Sequence, residues 1–301
     1  MTPIILTDGG MGQELLRRSG ATPTPLWSAK VLMDEPDLVR ELHADFIRAG
    51  ARVITVNTYA ATPERLAREG VGEMFLPLQQ AGLDLAHQAR DAVGADCAIA
   101  GCLPPLFGSY APRLTISFEE TVDLYRRIVA AEAGRVDLFL CETMASAQEG
   151  LAAATAAAES GKPVWISWTL ADDGAPSLRS GETIAEAAAA VAQLPIAARL
   201  VNCSRPETVD AAFGDLASLG GVVGAYANGF TAVHALKHGG TVDVLAARED
   251  LGPDSYAGFA LGWVERGATI VGGCCEVGPE HIARLRDRLV AAGHDIGGFH
   301  A

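Results

Sequence analysis

Three cysteines stand at positions where they could hold a metal ion together. Cys203 follows the apolar run 199–202, and Cys274 with Cys275 follows the run 268–271. Each run has the length and composition of a buried strand, so the thiols come where strands end. Three thiolates fill three positions of a tetrahedral zinc ion and leave the fourth open, which is the pattern of a catalytic zinc site. The alternative is that they pack as small hydrophobic groups, as most buried cysteines do.

The adjacent cysteines need an unusual backbone to face the same metal ion. Neighbouring side chains of a regular strand point to opposite faces, so the strand must end and the chain must turn at Cys274 and Cys275. Gly272 and Gly273 come directly before them. Because glycine adopts positive φ angles at little cost, we expect these two glycines to provide the turn.

Composition argues against several classes of protein. The chain has 301 residues, of which 49% are hydrophobic, and a net charge of -14. This charge argues against nucleic acid or an anionic membrane as a partner. No run of 18 apolar residues is present, and the N-terminus lacks the regions of a signal peptide. We therefore expect a cytoplasmic protein whose six cysteines stay reduced.

Strand and helix patterns alternate along the whole chain. Near-continuous apolar runs, typical of parallel strands buried on both faces, cover residues 4–7, 53–57, 97–101, 138–141, 164–169, 199–202, 222–225 and 269–272. The intervening segments contain helix signals. Pro36 and Gly50 have the positions of a helix start and a helix end, and Ser117 with Glu120 forms a capping-box pattern. Further helices are predicted over 151–158 and 184–192 and from Pro279 onward.

Eight strands with helix-length connections predict an α/β fold, a single (β/α)8 TIM barrel that spans residues 1–301 as one domain. A doubly wound sheet is the alternative. That fold usually has a G-x-G-x-x-G turn after its first strand, and the glycine-rich segment 8–12 does not match this pattern. The barrel is therefore the preferred prediction.

A barrel collects its functional residues at the carboxyl ends of its strands. The residues found there are Asp8, Asn57, Thr58, Glu142, Thr143, Cys203, Asn228, Cys274 and Cys275. A single polar residue after a strand is common turn chemistry, but their joint placement predicts one site at one mouth. The proline-rich stretch 103–112 lies at the same mouth, where it either helps to close the pocket or is an ordinary surface loop.

The residues around these positions resemble the homocysteine S-methyltransferase family. The resemblance is carried by Asp8-Gly9-Gly10-Met11-Gly12-Gln13-Glu14-Leu15, Leu26-Trp27-Ser28-Ala29, Val56-Asn57-Thr58-Tyr59-Ala60-Ala61, Cys141-Glu142-Thr143, Asn202-Cys203-Ser204, and Gly272-Gly273-Cys274-Cys275 followed by Pro279-Glu280-His281-Ile282. It implies a zinc-dependent barrel enzyme, with one Zn²⁺ ion per chain held by Cys203, Cys274 and Cys275. Such an enzyme moves a methyl group onto the sulfur of homocysteine and gives methionine.

The same resemblance implies roles for other residues. Glu142 and Asp8, the predicted catalytic residues, would hold the amino acid end of homocysteine. The predicted substrate-binding set is Asp8, Asn57, Thr58, Glu142, Asn202 and Asn228. From the residues alone, Glu142 could instead be a solvated loop acid, and Asp8 could cap the following helix.

The methyl donor is less well defined. The family often has a Gly-Ser-x-Gly-Pro pattern after the third strand, where this chain has Gly101-Cys102-Leu103-Pro104-Pro105. A compact chain favours a sulfonium donor, S-methylmethionine or S-adenosylmethionine, over cobalamin or folate donors that need extra domains. Betaine as donor and a different thiol as acceptor are the alternatives. Trp165 and Trp168 are predicted to be core residues, although one of them could line a sulfonium site.

Two other functional classes are open at this stage. The first is a non-catalytic zinc or thiol-regulatory protein, for which no fourth protein ligand is evident near the cysteines. The second is a metal-free hydrolase or lyase that uses Asp8 and Glu142 as a carboxylate pair. This second class leaves the three thiols without a role.

Overall fold

The computed structural model describes residues 2–113, 116–236 and 239–299. It contains eight parallel strands that pair in the order β1-β8-β7-β6-β5-β4-β3-β2. They are β1 (Ile5–Leu6), β2 (Val53–Thr55), β3 (Ala98–Leu103), β4 (Leu138–Met144), β5 (Val164–Trp168), β6 (Ile196–Asn202), β7 (Val223–Tyr226) and β8 (Ile270–Val271).

The first and second strands bring the two edges of this sheet together. Thr7 and Val53 form one isolated parallel bridge. The N–H of Asp8 donates to the carbonyl of Val53 at 3.0 Å, and the N–H of Arg52 donates to the carbonyl of Leu6 at 2.7 Å. The sheet therefore forms a nearly closed barrel, and the predicted (β/α)8 fold is confirmed.

Helices surround the barrel and follow the predicted signals. They are α1 (Met11–Ser19), α2 (Ser28–Asp34), α3 (Pro36–Ala49), α4 (Pro63–Arg68), α5 (Phe75–Val93), α6 (Phe118–Glu132), α7 (Ala147–Ala158), α8 (Ile184–Ala190), α9 (Pro206–Ser218), α10 (Pro253–Glu265) and α11 (Pro279–Ala291). The predicted capping box is present at α6, where Glu120 N–H donates to Ser117 Oγ and Ser117 N–H donates to Glu120 Oε2. None of the described helices is long and apolar enough to cross a membrane.

Apolar side chains fill the barrel interior below the mouth. Small and large residues pack together there, as in the centre of a barrel of eight strands. The members of this cluster include Val53, Ala98, Ala100, Leu138, Leu140, Trp165, Ala198, Leu200, Tyr226 and Ile270. Trp165 and Trp168 are both buried, as predicted, and Trp165 packs edge-on against Phe299. The packed interior leaves the mouth as the place where polar side chains meet.

Candidate metal centre and active site

The three cysteines after β6 and β8 converge at the mouth of the barrel. The sulfur atoms of Cys203, Cys274 and Cys275 all lie within 4.8 Å of one another. The sulfur atoms of Cys203 and Cys275 are 3.9 Å apart. Tetrahedral zinc with Zn–S bonds of about 2.3 Å would place its sulfur ligands about 3.8 Å apart. The cluster therefore has the ligand types and the spacing to hold a metal ion.

The backbone turns that aim these thiols are not at the predicted glycines. Cys203 has a φ of 46° and Glu276, directly after the adjacent cysteines, has a φ of 64°. Gly272 and Gly273 are not among the residues with positive φ. A Cβ atom at Gly272 would lie 1.8 Å from Thr7 Oγ1, and one at Gly273 would lie 2.1 Å from a methyl carbon of Val277. The prediction for these glycines was wrong in its reason, because close packing rather than backbone freedom requires them.

The close packing of the three thiols shifts their pKa values in opposite directions. Hydrogen bonds from Cys274 and Cys275 hold the pKa of Cys203 well below its usual range. The interaction with Cys203 and burial raise the pKa values of Cys274 and Cys275. Cys203 is therefore the thiol of the three that loses its proton most easily. A cation is required to ionise all three, because three negative charges this close repel one another in a buried site.

Two buried carboxyl groups lie at the same mouth. Asp8 accepts a hydrogen bond from the N–H of Thr55 at 2.8 Å, and burial raises its pKa. The residue that caps α1 is Gly10, so the alternative in which Asp8 caps this helix is wrong. Glu142 lies in β4 and is 9% exposed, so it is not a solvated loop acid. Burial raises the pKa of Glu142 to about 7.

One cavity connects the thiols and the carboxyl groups with an aromatic wall. Asp8, Asn57 and Glu142 line this cavity together with the three cysteines. Its aromatic residues are Trp27, Tyr59, Phe107, Tyr110, Tyr226 and Phe230. Trp27 and Tyr59 meet edge to face, with ring centroids 5.8 Å apart. The segment 107–110 belongs to the loop after β3, so this loop helps to close the pocket.

A family model described as homocysteine S-methyltransferase matches residues 5–289. This chain belongs to the homocysteine S-methyltransferase family. It is 32% identical over 303 residues to the homocysteine S-methyltransferase of Escherichia coli (strain K12), with 95% of each chain covered. It is also 29% identical to a selenocysteine methyltransferase of Astragalus bisulcatus, over 91% of this chain and 89% of the relative.

Solved structures of the homocysteine S-methyltransferase family have the same fold. The metallated form of the homocysteine methyltransferase MmuM from Escherichia coli superposes with a TM-score of 0.80 at 30% identity. The alignment covers 95% of this chain and 96% of the neighbour. The oxidized form of the same enzyme gives a TM-score of 0.79. These matches agree with the barrel and show that a relative with this fold exists in a metallated form.

Three of the predicted substrate-binding residues of this family member do not reach the cavity. Asn202 accepts from the N–H of Thr143 at 2.9 Å and from the hydroxyl of Ser167 at 2.8 Å. Asn228 has its amide nitrogen 3.8 Å from the sulfur of Cys203. The hydroxyl of Thr58 donates to the buried carboxyl group of Glu132. These side chains support the backbone and one thiol, and the cavity lining does not include them.

The pair Cys102 and Glu132 was not predicted to belong to the site. The thiol of Cys102 donates to Glu142 Oε1 at 3.1 Å. Glu132 accepts hydrogen bonds from the hydroxyl of Thr58 at 2.9 Å and from the N–H of Cys102 at 3.0 Å. Burial raises the pKa of Glu132 to about 8. Cys102 is buried in β3, and its thiol contacts the cavity carboxyl of Glu142. The departure from the family pattern after the third strand was the available signal.

Proposed function

We propose that this protein transfers a methyl group from a sulfonium donor to the thiolate of homocysteine and releases methionine. Zinc is the proposed metal, with Cys203, Cys274 and Cys275 as its ligands. The observation that carries the proposal is the convergence of three sulfur atoms on one cavity that also contains two buried carboxyl groups. The family to which the chain belongs supports homocysteine as the acceptor.

Asp8 and Glu142 suit the amino acid end of homocysteine. A buried carboxylate without a cation is costly, which is why burial raises the pKa of both groups. A substrate ammonium group that enters the cavity provides the missing positive charge. We therefore assign these two side chains to binding and orienting the acceptor. The third buried carboxyl group, Glu132, does not line the cavity, and it holds Thr58 and the backbone of Cys102 in place through hydrogen bonds.

The acceptor must reach the donor as a thiolate. Free thiols have a pKa of about 8.5, so only a small fraction is ionised at neutral pH. When bound to the three cysteines, zinc supplies the positive charge that keeps the acceptor thiol ionised. The residues of the cavity hold the donor methyl in line with the acceptor sulfur, at about 3 to 3.5 Å. The methyl carbon forms a bond to this sulfur as its bond to the sulfonium breaks, and the donor leaves as a neutral thioether.

The aromatic wall suits a cationic donor. Trp27 and Tyr59 present their rings to the cavity that contains the thiols. A sulfonium cation is attracted to the faces of such rings, and water is displaced from them at little cost. This favours S-methylmethionine or S-adenosylmethionine as the donor. Betaine, a quaternary ammonium compound, suits the same wall and is the alternative donor.

A related acceptor is the second candidate within the same chemistry. One relative is named a selenocysteine methyltransferase, so a selenol should be tested beside homocysteine. We also propose that residues 1–301 form one functional domain and that the protein works in the cytoplasm. A non-catalytic zinc protein on this barrel remains the alternative from a different class.

Metal content and methyl transfer together test the proposal. We expect about one zinc per chain in reduced protein by elemental analysis and methionine formation from homocysteine with a sulfonium donor. Cys203→Ala should lose both the metal and the activity. Cys97→Ala is the matched control, because Cys97 is buried at the opposite end of the barrel wall. Zinc binding without methyl transfer to any thiol or selenol would favour the non-catalytic alternative.

A further inference from the structure

Arg65 is a buried cation in the wall of the active-site cavity. It lies in α4, its exposed fraction is 7%, and it lines the same cavity as the three cysteines. Within the described ranges, no carboxylate lies within ion-pair distance of its guanidinium group, and Glu64 and Glu149 interact with it only at longer range. Buried charges in proteins are normally paired, because their removal from water is costly. This arginine therefore lacks the partner that its burial demands.

Most of the hydrogen-bond donors of Arg65 are unused. Its Nη2 donates to the carbonyl of Pro105 at 2.7 Å and lies 3.5 Å from the hydroxyl oxygen of Ser109. Its Nε is buried without an acceptor, and its Nη1 donates to none of the residues that the structure describes. The guanidinium carbon lies 5.2 Å from the centroid of the Tyr59 ring. A guanidinium has five N–H donors, so these contacts leave an incomplete shell.

The loop after β3 connects this guanidinium to the metal centre. Ser109 accepts the weak contact from Arg65 and lies 2.9 Å from the hydroxyl of Tyr59. The next residue, Tyr110, has its hydroxyl 3.1 Å from the sulfur of Cys203. Arg65 thus lies at the aromatic end of the cavity, where a donor would sit with its methyl group toward the thiols.

We propose that Arg65 binds the carboxylate of the methyl donor and selects donors that carry one. This inference rests on the proposed function and adds a specificity-determining residue to it. A guanidinium binds a carboxylate through charge-assisted hydrogen bonds, which the Nη1 donors of Arg65 can provide. A fixed cation also repels a sulfonium that has no negative group to offset it. S-methylmethionine, S-adenosylmethionine and betaine all meet the requirement for a carboxylate.

Equilibrium binding to the zinc-loaded protein tests this assignment without requiring turnover. The ligands are S-methylmethionine and its carboxamide, which have the same sulfonium and differ in the negative charge. We expect the wild type to bind the acid at least about tenfold more tightly than the amide. Arg65→Met should remove this preference by weakening binding of the acid, while binding of the amide should stay the same or become tighter because the repulsion from the guanidinium is lost. Arg65→Lys keeps the charge without the planar fork, so it should retain part of the preference.

Homocysteine binding and an exposed arginine provide the controls. Arg126→Met removes an exposed arginine of α6 and should leave the preference for the acid intact. If Arg65→Met weakens homocysteine binding instead, the carboxylate that Arg65 binds is that of the acceptor, and the assignment fails. If Arg65→Met weakens the acid and the amide equally, Arg65 only holds the loop through Pro105. Thermal unfolding of each variant shows whether the comparison is made on folded protein.

Comparing the affinities of the wild type for the acid and for the amide tests the proposed carboxylate site even if the variants do not fold. Equal affinities for the acid and the amide would overturn the carboxylate site, whereas methyl transfer from both would leave the proposed function intact. Conversely, a clear preference for the acid in a protein that transfers no methyl group would retain the site and overturn the function. The two failures are therefore distinguishable in one series of measurements.

Discussion

The phenolic oxygen of Tyr110 lies 3.1 Å from the sulfur of Cys203. The ring of Tyr110 is covered by Arg179, whose guanidinium carbon lies 4.6 Å from the ring centroid. Arg179 in turn forms an ion pair with Asp172 at 2.9 Å. The loop after β5 thus holds the loop after β3 against one thiol of the candidate metal centre. The same sulfur of Cys203 also lies 3.8 Å from the amide nitrogen of Asn228.

Tyr110→Phe should weaken metal binding. A hydrogen bond to a thiolate stabilises its negative charge and fixes its position, and loss of such supporting contacts typically lowers metal affinity at least about tenfold. Competition between the protein and a zinc chelator measures this change. Tyr59→Phe is the matched control, because its hydroxyl lies beside Ser109 rather than a thiol. Equal zinc affinities in the two variants would contradict the assigned role of the Tyr110 hydroxyl.

Glu142→Gln should impair the binding of homocysteine. The variant removes a negative charge from a buried site without changing the shape of the side chain, and loss of one partner of a buried ion pair costs roughly 3 kcal/mol, or about 100-fold in affinity. Calorimetric titration with homocysteine measures it. Glu149→Gln changes a carboxyl group that is also buried but lies outside the cavity lining, where it accepts the N–H of Ala145. The assignment fails if both variants bind homocysteine as the wild type does.

Cys102→Ala should weaken homocysteine binding less than Glu142→Gln does. Its thiol donates to Glu142, and loss of one such hydrogen bond costs about 1 kcal/mol, which is roughly fivefold in affinity for homocysteine. Cys102→Ser keeps a donor at this position and should retain most of the affinity. Measured binding that is equal in the alanine and serine variants would show that the thiol does not position Glu142.

His43 should make the fold sensitive to acid. It is fully buried in α3, neither ring nitrogen has a hydrogen-bond partner among the described residues, and burial lowers its pKa from 6.5 to about 4. Its neutral form therefore contributes stability that is present above pH 6.5. This contribution is lost as the pH falls toward 4, by up to about 3 kcal/mol.

Urea unfolding of the wild type and of His43→Leu at pH 7 and pH 4.5 measures this effect. The variant should lose less stability than the wild type as the pH falls. The difference between the two proteins isolates His43 from the buried carboxyl groups, whose raised pKa values act in the opposite direction. Identical pH dependence in the two proteins would show that His43 does not stay neutral in the fold.

The strands were predictable because parallel strands buried on both faces have a simple apolar signature. The predicted bounds missed parts of several strands, since β3 continues to Leu103 and β6 begins at Ile196, and in β4 the missed residues include polar ones. Residues 138–141 were predicted for β4, which in fact extends through Glu142 and Thr143 to Met144. Polar residues inside a strand contradict the apolar pattern, and only their partners explain them. For Thr143 this partner is Asn202, which lies 59 residues away in the chain.

The thiols of the site were predictable from strand ends, but its walls were not. Arg65 reaches Pro105 across 40 residues, and Tyr110 reaches Cys203 across 93 residues. Such contacts leave no periodic pattern, because they depend on how loops from different strands meet. The reason given for Gly272 failed in the same way, since glycine is required there by the close approach of Thr7, directly after the neighbouring first strand.

Asp8 contributes both to the junction between β1 and β2 and to the cavity. Among the described residues, an isolated bridge and two backbone hydrogen bonds join these strands, and the side chain of Asp8 adds a further hydrogen bond by accepting the N–H of Thr55. The same carboxyl group faces the cavity. A substitution at Asp8 therefore changes both the stability of the junction between β1 and β2 and the shape of the pocket. Any loss of activity in such a variant should be divided between these two effects by measuring stability alongside turnover.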